Sequence, residues 1–322
     1  MAKVVVALQN ERQEFQLLEA RVARESAARG GLDIEVVFAD DNAIQQIHQL
    51  FAYIRAPEDA RPAALIVQTV GSEGFERVAR NAVKAGIGWV LINRTGGYLD
   101  ALRTERRDLP IASVSVDNEE VGAIQGRQLR ALLPGGGSVL YLQGPADTST
   151  ARDRLLHAQK AIAGSPIELK VLASEAWMEA SGERAVSAWL RLKSSEGSRP
   201  VAVCAQNDTL SVGARRAILA HRPEWSDLVF TGCNGSPDYG QRLVQSGELT
   251  ATIVTPPPTA SAVELVSDVL AGKPARDLRV RPRSHPPEEE LSRHARPAAA
   301  ALAEAATPGA ALSRPDPRGP HR

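Results

Sequence analysis

Residues 139–154 read VLYLQGPADTSTARDR, and the fold turns on how that stretch is understood. Val139–Leu142 is a short apolar run, Gly144-Pro145 breaks it, and a polar cluster then leads into a helical pattern from about Thr150. A strand that gives way to a loop and then a helix is the joint of an α/β sheet. Its polar residues fall in the crevice beyond the carboxyl ends of the strands. Gln143, Asp147, Thr148 and Ser149 gather at this joint, followed by Arg152 and Arg154. No strong nucleophile, metal-ligand cluster or phosphate-binding motif accompanies them.

Working outward, the same joint recurs along the chain. Lys3–Leu8, Ile34–Phe38, Ala64–Gln68, Trp89–Ile92 and Ile111–Val116 read as short buried strands separated by helical stretches. The pattern then restarts with a helix at Asn118–Leu133 and strands at Ser138–Leu142, Glu168–Ala173, Val201–Ala205, Leu228–Thr231 and Thr250–Val254. A helix at Ala260–Gly272 and an extended Asp277–Val280 follow. The two halves correspond piece by piece: KVVVALQ with GSVLYLQ, DIEVVFAD with IELKVLAS, AALIVQTVG with VAVCAQNDT, WVLINR with VFTGCNG, and IASVSVDN with LTATIVTP. Alternating strands and helices predict an α/β fold of two doubly wound parallel-sheet lobes, each covered by helices on both faces. Residues 293–322, rich in Ala, Pro and charge, read as a disordered tail in which Ala298–Ala306 could form a marginal helix.

Composition narrows the function. The 322 residues carry 38 Lys and Arg against 38 Asp and Glu, spread along the chain, so no basic face for nucleic acid is expected. Cys204 and Cys233 end apolar runs and read as buried reduced thiols. No run reaches the ~18 apolar residues of a membrane span. Val4–Leu8 is too short for the apolar core of a signal peptide, so the chain as written reads as cytoplasmic, or periplasmic if an export signal precedes it. The histidines make no HExxH spacing, there is no GxSxG or P-loop, and the glycines at 135–137 precede a strand where a dinucleotide fingerprint would follow one. No catalytic residue, metal or cofactor is expected.

At QGPADTSTARDR, at AQND (205–208), at GCNGSPD (232–238), at GELTATI (247–253) and at SVDNEEVG (115–122) the chain resembles the type I periplasmic binding proteins. The ribose-binding branch is the nearest, and its fold is shared with the effector domain of lac-repressor-type regulators. The resemblance runs from about residue 3 to 282. It implies a three-strand hinge, with one lobe formed by 1–116 plus 256–281 and the other by 117–255 plus 282–292. Crossings are expected near 116–117, 254–256 and 280–282. It further implies non-enzymatic binding of a small sugar-like solute for transport or sensing. The partners would be a sugar, polyol, sugar acid or sugar phosphate, and a transporter or sensor kinase. The alternatives are a regulator without its own DNA-binding domain and a small α/β enzyme.

Carried over position by position, the resemblance makes Gln13, Phe15, Asn93, Arg94, Arg154, Trp177, Asn207, Asn234 and Thr255 the ligand-binding residues. Asn93 and Asn234 stand where sugar binders commonly have aspartate, and Thr255 replaces a common glutamine. The residues themselves leave alternatives open. Arg154 is either a forked donor to the ligand or a surface partner of Asp153 or Glu183. Trp177 either covers the apolar face of a sugar or packs on a lobe. Phe15 also suits a core-facing helix start, and Asn207 also suits an N-cap. With amides at 93 and 234, the ligand is either a neutral polyol or an anion.

Overall fold

The computed structural model describes residues 1–71, 73–192 and 199–295, so the expectations for the tail beyond 295, including the helix at 298–306, lie outside the described residues. Strands β1 (Lys3–Leu8), β2 (Asp33–Phe38), β3 (Ala64–Val67), β4 (Gly88–Ile92) and β5 (Ile111–Val116) form one parallel sheet in the order 2-1-3-4-5. Strands β6 (Gly137–Gln143), β7 (Ile167–Ala173), β8 (Ala202–Ala205) and β9 (Val229–Thr231) form a second, in the order 7-6-8-9. The Val, Ile and Leu runs of the central strands are buried on both faces, as a parallel sheet covered by helices requires.

In the first lobe α1 (Glu14–Gly30) and α10 (Pro258–Leu270) cover one face of the sheet. Helices α2 (Ala43–Ile54), α3 (Phe75–Lys84) and α4 (Leu99–Glu105) cover the other, through Leu50, Phe75, Val78 and Leu102. In the second lobe α5 (Asn118–Leu132) and α6 (Ser149–Ile162) lie on one face. Helices α7 (Glu179–Leu190) and α8 (Asp208–His221) lie on the other. The two helices α5 and α6 touch closely because Gly122 has no side chain: a Cβ there would stand 2.3 Å from the Arg154 carbonyl oxygen.

The chain leaves the first sheet at β5 and enters the second lobe with α5. It returns through β10 (Thr252–Val254), which is bridged to the β9 edge at Thr231–Ala251 and Asn234–Val254 and leads into α10. β11 (Leu278–Val280) then pairs with β5 in the first sheet, and β12 (Arg283–His285) pairs antiparallel with β10 in a separate two-stranded sheet beside the second. The three connecting segments therefore run side by side.

Some local features depart from expectation. Helix α4, the short α9 (Gly240–Gln245) and strand β12 have no counterpart in the sequence reading. In α1, Leu17 is half exposed, while Gln16, Leu18, Glu19 and Ala23 are among the buried residues. Cys204 and Cys233 are free and buried. Among the described residues no helix is long and apolar enough to cross a membrane.

Candidate functional site

A cavity of about 300 Å³ opens between the lobes, where the carboxyl ends of both sheets face each other. The first lobe contributes Gln13 and Phe15 from the start of α1, and Asn93 and Arg94 from the loop after β4. The second lobe contributes Arg154 from α6, Trp177 from the loop before α7, Asn207 from the end of β8, and Asn234 after β9. Every candidate from the sequence lines this cavity except Thr255. That residue is buried behind it, its backbone N–H donating to the Asn234 carbonyl at 3.1 Å. Its place one residue past β10 supports the loop that carries Asn234 and does not reach the cleft.

Arg154 is seated with unusual care. Its Nε donates to Asn118 Oδ1 at 2.9 Å and its Nη1 to the Gln206 carbonyl at 2.6 Å. The guanidinium lies over the Trp177 ring, 5.8 Å from the centroid. The ion pairs with Asp153 or Glu183 that its sequence position allowed do not form; Glu183 faces Arg216. Trp177 itself rests on Gly144, where a Cβ would come within 2.2 Å of the ring. This accounts for the glycine that breaks the VLYLQGP stretch. Asn207 fills the capping role its position allowed while it lines the cavity. Its Oδ1 caps α8 by accepting from the Leu210 N–H at 2.8 Å, and its Nδ2 donates to the Trp177 carbonyl at 3.1 Å. One amide hydrogen remains for the cavity.

Asn93 and Asn234 have positive φ, 56° and 101°, a backbone that asparagine tolerates better than most residues. Asn93 Nδ2 donates to Glu19 Oε1 at 3.1 Å, and Glu19 Oε2 accepts from the Thr259 N–H in the first turn of α10 at 3.0 Å. Glu19 is fully buried, and burial pushes its carboxyl up to about 7 against the hydrogen bonds from Thr259 and Asn93. The second lobe has a counterpart. Asp208 accepts from Thr252 Oγ1 at 2.6 Å and from the Gly235 N–H at 2.8 Å, and burial pushes it up to about 7. Each buried carboxyl thus anchors the loop that carries one of the two asparagines.

Arg94 differs from Arg154 in having no hydrogen-bond or ion-pair partner among the described residues. Burial lowers its pKa, and Asp147 is the charge that opposes this. Other charged residues of the lining are already paired: Arg12 with Asp41 at 2.8 Å, and Glu179 with Arg216. Glu14 also lines the cavity, its carboxyl raised by burial. Outside the cavity Arg21 on α1 reaches Asp238 of the opposite lobe at 2.9 Å.

The sequence reading missed Gln9, Gln68, Glu14, Asn118 and Tyr239 as lining residues. A signal for the first two exists: they directly follow β1 and β3, the same strand-end position that Asn93 holds after β4. Cys233 is a fully buried thiol pushed up to about 11 by burial. A thiol held protonated in this way is inert.

The profile of the periplasmic binding protein domain matches residues 4–274. The chain belongs to the periplasmic binding protein family. Among curated relatives, the ribose import binding protein of Salmonella typhimurium is 28% identical over 211 residues, covering 65% of this chain and 66% of that one. The D-apiose import binding protein of Paraburkholderia graminis is 26% identical over 274 residues, covering 82% of this chain and 81% of that one. The chain thus spans about two thirds of the ribose relative and about four fifths of the apiose relative. Among solved structures, a solute-binding protein of an ABC transporter from Bacillus halodurans with bound myo-inositol has a TM-score of 0.75 at 20% identity, covering 91% of this chain and 98% of that one. These relatives are binding proteins, and the fold of this chain is theirs.

Proposed function

We propose that this protein is a non-enzymatic receptor that closes its two lobes on a small sugar-like solute. The lobes are residues 1–116 with 256–281, and 117–255 with 282–292, a division supported by the sheet to which each hinge strand belongs. The observation that carries the reading is the composition of the cavity. Both lobes supply amides, each supplies an arginine and an aromatic ring, and no activated nucleophile or general base pair stands among them. Amides and guanidinium groups donate to and accept from hydroxyls in fixed directions, and a flat ring covers an apolar sugar face. Gln13, Phe15, Asn93, Arg94, Arg154, Trp177, Asn207 and Asn234 are the residues assigned to the ligand. Thr255 acts through Asn234.

Relatives named for ribose and apiose import favour a pentose-like solute, delivered to an ABC transporter. Membership of a periplasmic family favours the periplasm, and fractionation of the natural host's cells tests that placement. The binding test is a thermal-shift and calorimetry panel of ribose, apiose, allose, myo-inositol and their acid and phosphate derivatives. A ligand at about a hundred times its Kd raises stability by about 2.7 kcal/mol. Stabilisation with the solute recovered unchanged supports the reading, and turnover of the solute refutes it.

A further inference from the structure

We infer that the ligand of this cleft carries a negatively charged group, a carboxylate or phosphate on a sugar-sized polyol, clamped between Arg94 of one lobe and Arg154 of the other. The inference rests on the reading of the cleft as a solute site and names the chemistry of the solute.

The argument is one of charge accounting across the cavity. A cation taken out of water is costly unless an anion is set against it. Arg154 is 6% exposed, yet its two hydrogen-bond acceptors, an amide oxygen and a backbone carbonyl, are neutral. Its Nη2 is bonded to no described residue. Arg94 lines the same cavity with no partner within 4.0 Å among the described residues. The lining amides Asn93, Asn118, Asn207 and Asn234 carry no charge to offset these two.

The acidic groups nearby are engaged elsewhere or held back. Asp41 is paired with Arg12, and Glu179 with Arg216. Asp147 faces Arg94 from beyond ion-pair distance. Glu19 and Asp208 are buried behind the asparagines, Glu19 accepting from the first turn of α10 and Asp208 from Thr252 and the loop after β9. Asp208 feels the charge of Arg154, but burial pushes its carboxyl up to about 7. Glu14 is the remaining acidic residue of the lining, and its burial favours the neutral form. Closing the cleft on a neutral polyol would leave two guanidinium groups with no carboxylate within ion-pair distance, Asp147 and the buried Asp208 acting on them only from farther away. Closing it on an anion supplies a counter-charge, held from both lobes at once. The free edge of Arg154 and the unpartnered Arg94 offer the forked N–H geometry that suits a carboxylate or phosphate.

The experiment measures Kd by calorimetry for glucose, glucuronate and glucose 6-phosphate, and for myo-inositol against its monophosphate, at about 20 mM and about 500 mM salt. The same titrations are run on the variants Arg94→Gln and Asn234→Asp. The charged form is expected to bind at least about tenfold tighter than the neutral one, with the advantage shrinking at high salt. Comparing glucuronate with glucose 6-phosphate separates a carboxylate from a phosphate. Arg94→Gln should remove about ten- to a hundredfold of the anion's affinity, and Asn234→Asp should shift preference toward the neutral sugar. Arg94 makes no structural bond, so its variant folds, and circular dichroism checks both. Equal or tighter binding of the neutral form, without salt dependence, overturns the anion while leaving the sugar receptor standing. An unchanged preference in Arg94→Gln overturns the clamp. No binding by any member of either series, or of the ribose, apiose and allose panel with their acids and phosphates, overturns the receptor reading itself.

Discussion

Glu19 is the residue whose replacement reads the interior of the first lobe most directly. Burial raises its carboxyl from 4.5 to about 7. Between those values the folded protein holds a proton that the unfolded chain has released, so stability falls as pH rises through that window. At 1.36 kcal/mol for each pH unit of difference, the full loss is about 3 kcal/mol, complete above about pH 8. Glu19→Gln cannot ionise and escapes this loss. The new amide has a single oxygen, so either Asn93 Nδ2 or the Thr259 N–H loses its acceptor, a cost of about 1 kcal/mol that does not change with pH. The expected result is a stability difference, variant minus wild type, that grows by about 2.5 kcal/mol between about pH 5 and about pH 8. Asp208 titrates over a similar range in both proteins and cancels. Urea denaturation of the unliganded proteins at the two pH values measures the difference. Parallel curves for variant and wild type would refute the burial argument, and with it the anchoring of Asn93 by a carboxyl that is protonated at low pH.

Three further outcomes are expected. Arg154→Ala should weaken ligand binding by about ten- to a hundredfold and also lower the unliganded denaturation midpoint, because the Gln206 carbonyl loses its donor; equilibrium unfolding and calorimetry measure both. Gly144→Ala should drive the Trp177 ring off its seat, changing indole fluorescence and reducing affinity while leaving the far-ultraviolet spectrum intact; identical fluorescence would show that the ring tolerates the methyl group. Arg21→Ala removes an exposed pair with Asp238 across the lobes, so affinity should fall by no more than about fivefold, and the difference should vanish at high salt.

Much of the fold was legible because each buried parallel strand announces itself as a run of Val, Ile and Leu between polar loops. KVVVAL and GSVLYLQ are found as strands within a residue of where the pattern put them. What escaped has a physical reason. β12 is the segment RSH, a polar edge strand whose place is fixed by pairing with β10 rather than by burial, so no periodicity marks it. Helix α4 is only about two turns long, and its short sequence, LDALRTE, carries too few positions to show a helical period. In the site, residues that end strands could be read, since topology alone sends them to the cleft. The partners of Arg154 could not, because Asn118 and Gln206 lie 36 and 52 positions away in sequence. Nor could the burial of Glu19, which sits between Leu18 and Ala20 on a helix face that looks solvent-facing by composition.

The placement of α10 bears on how the polypeptide reaches this state during synthesis. Ala262, Val263, Val266 and Val269 fill the same core as Val4, Val6 and Leu8 of the first strand. They leave the ribosome some 250 residues later, after β6 through β10 of the other lobe. Until then that face of the earliest sheet is covered by α1 alone, and β5 lacks β11 as its neighbour. Domains ordinarily fold in the order they are made. Here the first lobe to be started cannot be finished until almost the whole described chain has been synthesised. A nascent chain stalled near residue 255 should therefore leave its N-terminal segment open to protease, whereas one released past residue 280 should protect it.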